Sequence, residues 1–316
     1  MMSRLFFKTI PLFSLLTFHL SPFNSYAQLP NESFGKPSTM EWEFVGWGDA
    51  LNADALILCK TMKATYQLAD QVDNFNQSYS DINAANFTDF GKNQIDQSSI
   101  LVKYEFKLRT KILTHQGARH ASIDITYHDA DSGFSYKNDD LFDLKINVFA
   151  KNEKGKVQKK TVKNNSFTKE RIDQNYVTLH VNIPDVQPGN IIEYQYNITS
   201  TRPTFLYPWT FQEDIPTVHS KCDIEIPAFL QFNMNVPINK LINSKVEAGR
   251  LAYDNNRPDY KKGKTCPTNH YIITGDYITP QDSANQIIAP FTSRIITPNT
   301  NPPAYMPEGT THLKVK

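Results

Sequence analysis

Between Val102 and Thr114 apolar and charged residues alternate, with Val102, Tyr104, Phe106, Leu108 and Ile112 on one side and Lys103, Glu105, Lys107, Arg109 and Lys111 on the other. Successive side chains of a strand point to opposite faces, so this pattern predicts a long strand with one dry and one wet face. The same two-residue period returns at Ser122–His128, at Leu144, Ile146, Val148 and Ala150, at Val177, Leu179, Val181 and Ile183, and at Ile192, Tyr194, Tyr196 and Ile198. Asp54–Tyr66 reads as a first strand or strand pair, with Cys59 buried in it. Asn152–Gly155 supplies a hairpin turn into Lys156–Lys163, and Pro188-Gly189 a second turn. Strands this closely spaced, with few helical periods between them, predict an all-β fold, an antiparallel β-sandwich.

From Thr204 to Pro227 the pattern changes character. Phe205, Tyr207, Trp209 and Phe211 fall at every second position, which would set four rings along one face of a sheet. Strand-like alternation resumes after Pro216 and extends through Ile224, Ile226, Phe232, Met234 and Val236. Beyond Asn239 the signal weakens to one strand at Tyr271–Ile278 and a proline-rich end at Pro298, Pro302, Pro303 and Pro307. Gln67–Ser99, rich in Asn, Gln, Asp and Ser, reads as a long polar loop.

Composition changes the picture in three places. Aromatic residues at 12%, with 20 Phe and 15 Tyr, favour strands. A formal charge of +1 provides no field for a phosphate backbone, which argues against nucleic acid as a partner. Arg4 and Lys8 before the apolar run Thr9–Leu20, with Ser25-Tyr26-Ala27 before Gln28, predict a cleaved Sec signal peptide over 1–27 and a periplasmic or cell-surface protein. That run is too short to span a bilayer, and no later segment is apolar enough to do so. The expected plan is the signal peptide, an N-terminal tail over 28–46, a β-sandwich module over 47–237, and a C-terminal β extension and linker over 238–316.

Several segments carry a family resemblance. They are Asn52–Leu58, Lys111-Ile112-Leu113 followed by Gly117, Ile183-Pro184, Pro188-Gly189, Ile192-Glu193-Tyr194, and above all Trp209–Pro216 with Ser220 and Ile226-Pro227. Together, over Trp47–Pro237, they resemble a domain of unknown function that precedes a transglutaminase-like core in secreted proteins of Gram-negative bacteria. Ala304–Glu308 resembles the link to that core. The resemblance implies an all-β module in the periplasm or at the cell surface. In such relatives the Cys–His–Asp machinery lies downstream, so no catalytic residue carries over. The expectation is a non-catalytic module that binds another protein or a polysaccharide, without a cofactor.

Rival chemistry has its own candidates. Cys266, His270 and Asp276 occur in the order a thiol hydrolase would use, against a loop cysteine or a Cys222–Cys266 disulfide as the plainer reading. Asp129, Asp131 and Asp140, with Gly133, partly imitate a calcium loop, although Asp140 stands where Glu is usual and a polar hairpin tip is the favoured reading. Tyr207, Trp209 and Phe211 would stack on sugar if exposed, and burial in the core is the favoured alternative. Glu193, Glu213 and Asp214 are the carboxylates available for glycoside chemistry, with structural or turn roles as the favoured reading. The lysines of 151–163 fit a solvated hairpin, with an acidic polysaccharide as the less favoured alternative.

Overall fold

The computed structural model describes residues 30–68, 100–130, 138–163, 167–203, 205–228, 230, 232, 241–252, 265–280 and 288–289. The expected signal peptide, nearly all of the polar loop, Asp131, Met234, Val236 and the proline-rich end lie outside these residues.

Eight strands form the main sheet. Their order is β11 (Ile242–Ala252), β12 (Thr265–Ile278), β10 (Thr217–Pro227), β1 (Ala55–Leu68), β2 (Ile100–Ile112), β8 (Ile191–Ser200), β4 (Asp140–Lys151) and β5 (Val157–Thr161). A smaller sheet runs β3 (Ile123–His128), β7 (Tyr176–Val181), β6 (Phe167–Arg171), and β9 (Trp209–Thr210) pairs with β13 (Ile288–Ala289). Every pairing is antiparallel except β1 with β10, which run parallel at the centre of the large sheet. A parallel pair cannot be closed by a hairpin, and here residues 69–216, nearly half of the chain, lie between its two strands.

The three-stranded sheet packs on one face of the large one. Ile123, Ile125, Val177 and Val181 from the small sheet share a buried cluster with Met62, Ala64, Tyr104, Ile192 and Ile224 from the large sheet. The all-β expectation therefore holds. Two elements depart from the pattern read in sequence. β6 and β11 are strands with mostly exposed side chains, so neither carries an alternating signal. β11 and β12 also continue the main sheet past β10, across the boundary expected at residue 238.

The aromatic stretch is the third departure. Only Trp209–Thr210 is strand, because Pro203 and Pro208 lack the N–H groups that a ladder needs. The rings still turn inward: Tyr207, Trp209 and Phe211 are buried, and Tyr207 meets Tyr104 edge to face at 5.1 Å. Tyr66 and Tyr104 donate to the carbonyls of Pro203 and Phe205 at 2.7 and 2.9 Å, which satisfies backbone groups of the segment that it does not use in a ladder.

Residues 30–44, expected as a tail, instead lie across the opposite face of the large sheet. This strap contains helix α1 (Thr39–Glu43), started by a capping box in which Ser38 Oγ accepts from Glu41 N and Glu41 Oε2 accepts from Ser38 N. Trp42, Phe44 and Trp47 pack with Tyr277 on a second buried cluster of Leu58, Phe149, Ile191 and Val218.

Candidate functional site

Strand register builds a polar row beneath the strap. Asp276 on β12 stands opposite His219 on β10, which stands opposite Cys59 on β1. The row continues through Arg109 on β2, Glu193 on β8 and Asn147 on β4 to Thr161 on β5. Directly opposed residues share a face, so seven strands contribute one polar side chain each to the same line. The alternation of β2 predicts Arg109 and Lys111 in water. Both are buried, because the strap removes the water.

Arg109 is the hub. Its guanidinium pairs with Glu41 and Glu193 and donates to the carbonyls of Asn31 and Ser33 at 2.8 and 2.6 Å. Burial alone would lower its pKa, but the two carboxylates outweigh it and hold the pKa above the ordinary value. Glu193 also accepts from Gly35 N at 2.6 Å, and Gly35 takes the left-handed φ of 85°. Lys111 donates to the carbonyls of Trp42 and Phe44 at 2.6 and 2.7 Å; burial, with Lys151 nearby, lowers its pKa to about 8.

At the other end, His219 Nδ1 lies 2.6 Å from Asp276 Oδ1 and Nε2 lies 3.4 Å from Glu32 Oε1. Burial opposes the imidazolium, but hydrogen bonds to the two carboxylates override it and raise the pKa to about 9. Glu32 falls to about 2, chiefly through His219, with Lys221 adding a contact at 3.1 Å. Burial pushes the Cys59 thiol up to about 12. A thiol, an imidazole and a carboxylate thus stand on adjacent strands, yet the thiol is only 4% exposed and both imidazole nitrogens face carboxylates. A protonated imidazole cannot take a proton from the thiol, and its two carboxylate contacts link the strap, through Glu32, to β12, through Asp276.

The candidates read from sequence disperse. Cys266, His270 and Asp276 all lie on β12, four and six residues apart, or about 13 and 20 Å along a strand. His270 pairs with Asp223 at 2.7 Å and Asp276 with His219. The Cys222–Cys266 bridge is not formed. Cys222 is a buried free thiol opposite Ile273, seven positions along β12 from Cys266, far beyond the span of a disulfide. Glu193 and Glu213 serve separate cations, Arg109 and Lys60, and Asp214 lies 3.6 Å from His120. Lys60 projects under the aromatic segment, 4.5 Å above the Trp209 ring and 2.7 Å from Thr210 O.

Tyr207, Trp209 and Phe211 are core, which removes them as a sugar platform. Tyr207 donates to Asp139 and Trp209 Nε1 to Ser220 Oγ at 3.1 Å. Asp129 is engaged by Lys169 at 2.5 Å and Asn138 at 3.1 Å, while Asp140 opens β4 opposite Thr199. Among the described residues no group of three or more His, Cys, Asp or Glu side chains is placed to hold a metal. None of them forms a helix long and apolar enough to cross a membrane.

An open cleft of about 740 Å³ lies at the β4–β5 end of the large sheet, beside the 183–190 loop and lined in part by Lys159, Lys160 and Lys163. The lysines were legible in sequence. The row under the strap was not, because its members lie up to 217 residues apart, from Cys59 to Asp276.

Comparison with known proteins adds a family profile and some distant folds. Residues 99–257, from the last residue before β2 to the segment after β11, match the profile of a domain of unknown function, DUF3857. No curated protein matches the chain. A candidate protease from Parabacteroides distasonis shows 12% identity and a TM-score of 0.43, over 75% of this chain and 39% of that one. An M1 zinc metallopeptidase from Deinococcus radiodurans shows 6% identity and 0.25, over 72% and 43%. A candidate nutrient-binding protein from Legionella pneumophila shows 9% and 0.29, over 75% and 66%. The chain spans about two fifths of the length of the Parabacteroides protein.

Proposed function

The chain belongs to the DUF3857 family, a domain of unknown function, and from that premise we propose that it is an exported, non-catalytic β module that acts by binding or scaffolding. The sequence resemblance supports reading it further as the kind of module that stands before a transglutaminase-like core in secreted bacterial proteins. One observation carries the reading. The thiol and the imidazole that register brings together are buried beneath the strap, with the thiol held protonated and the imidazole charged and engaged by Asp276 and Glu32. The cleft at the β4–β5 end, by contrast, is open and lined by three lysines against one carboxylate, Asp185, which suits a ligand surface.

The rival reading, a thiol hydrolase, is tested on the Cys266/His270 pair read from sequence, which β12 holds about 13 Å apart, and on Cys59 with His219 and Asp276. Purified protein is assayed against peptide, amide and glycoside substrates beside Cys59→Ala and Cys266→Ala/His270→Asn. We expect no turnover above buffer in any of them. A robust activity in the wild type that either variant loses overturns the proposal. Export is checked separately, by a mature N-terminus at Gln28 in periplasmic extract.

A further inference from the structure

Strand β5 is an outer strand of the large sheet and, among the described residues, pairs only with β4. Val162 N donates to Ile146 O at one end of this hairpin and Asn152 N to Lys156 O at the other, so the even-numbered residues direct their backbone groups at β4. Hydrogen-bonded pairs alternate along an antiparallel ladder. The N–H and C=O groups of Val157, Lys159 and Thr161 therefore turn outward, and all five β5 side chains are exposed.

The cleft of about 740 Å³ runs beside this edge. Its floor is aliphatic, from Val148, Ala150 and Ile183, and its rim carries Lys159, Lys160 and Lys163 against one carboxylate, Asp185. Six lysines and one glutamate lie between residues 151 and 163, so the positive field extends along the whole hairpin. Among the described residues no aromatic ring lines the cleft, which leaves a sugar face nothing there to stack on. The other outer strand, β11, lacks this character: Lys245 pairs with Glu247 on its own strand.

We infer that β5 and its cleft receive an acidic segment of another protein in extended form, which adds to the sheet as a further strand. The outward backbone groups of Val157, Lys159 and Thr161 supply the ladder, the lysines meet the carboxylates, and the floor takes the apolar side chains in between. This inference rests on the binding-module reading and names the class of its partner.

The probe is a short fluorescein-labelled peptide alternating glutamate and valine, followed by anisotropy, with hydrogen exchange read at Lys159 and Thr161. The expected result is saturable binding, protection of those two amides, and a loss of at least about tenfold in Lys160→Glu/Lys163→Glu, with Lys245→Glu unchanged. A version N-methylated at alternate residues should bind about tenfold more weakly, since it cannot complete the ladder. Equal binding by the charge-reversed variant, equal binding by the N-methylated peptide, or no binding at all overturns the inference. So does binding of polygalacturonate in place of the peptide, which would make the surface a polysaccharide site. Those outcomes leave the broader binding reading standing, whereas hydrolysis of the peptide would defeat the broader reading itself.

Discussion

At the scale of single residues, Arg109 concentrates the energetics of the strapped face. Its charge is removed from water and repaid by two carboxylates and two carbonyls, so truncation leaves Glu41 and Glu193 buried without a counter-ion. Arg109→Ala is expected to cost about 3–5 kcal/mol in urea unfolding. A loss under about 1 kcal/mol would show that water already reaches the row. His219 and Glu32 make the strap pH-dependent in two directions. His219 titrates near 9 when folded instead of 6.5, so its contribution is full below pH 6.5 and fades as pH rises through about 9. Glu32 is depressed from 4.5 to about 2, so its contribution is present above pH 4.5 and fades as pH falls toward 2. Lys111 runs against His219: its pKa is lowered to about 8, which favours the folded state as pH climbs from there toward 10.5. Amide protection over residues 30–44 should therefore peak between pH 4.5 and 6.5 and decline from pH 6.5 to 8. In His219→Asn that decline should vanish, and its persistence would rule out the imidazole as the cause.

At the scale of elements, the strap and the aromatic segment show how polar backbone is accommodated away from a ladder. The strap gives its carbonyls to Arg109 and Lys111, and the aromatic segment gives its own to Tyr66, Tyr104 and Lys60. Glu41 links local and tertiary structure, since one carboxylate both closes the capping box of α1 and meets Arg109. Glu41→Gln keeps the cap and removes the charge; faster exchange confined to residues 30–44 is the expected readout. Trp209→Ala empties a buried site and withdraws the ring from beneath Lys60, for an expected loss of about 3–5 kcal/mol. Trp209→Phe should recover most of the packing but not the indole bond to Ser220.

At the scale of the whole molecule, the parallel β1–β10 pair ties the first described strand to one that follows most of the fold. β10 is in turn covered by β12, whose Ile273 and Ile278 are buried in the main core. A chain ending at residue 257, where the family match ends, would leave β10 as a bare edge and β11 without its partner. Such a chain is expected to aggregate, and one continued to residue 289 to stay soluble and cooperative. Equal solubility and equal midpoints in denaturant would show β12 to be dispensable.

Alternation in β2, β3, β7 and β8 was enough to fix their strand character and, for most positions, their buried face, because a period of two is a local property of the backbone. The turns at Gly155 and Gly189 were likewise legible, since both take the left-handed φ that favours glycine. The chain also carried the inward turn of Tyr207, Trp209 and Phe211 as the favoured alternative, through the cost of exposing large rings. Register across the sheet was decided elsewhere. Which residue of β10 faces Cys59, and which of β12 faces His219, depends on pairings between strands far apart in the chain, where no local pattern sets the alignment. The strap was hidden for the same reason: its polar residues read as solvated until the folded sheet presents Arg109, Lys111 and His219 to them in one line.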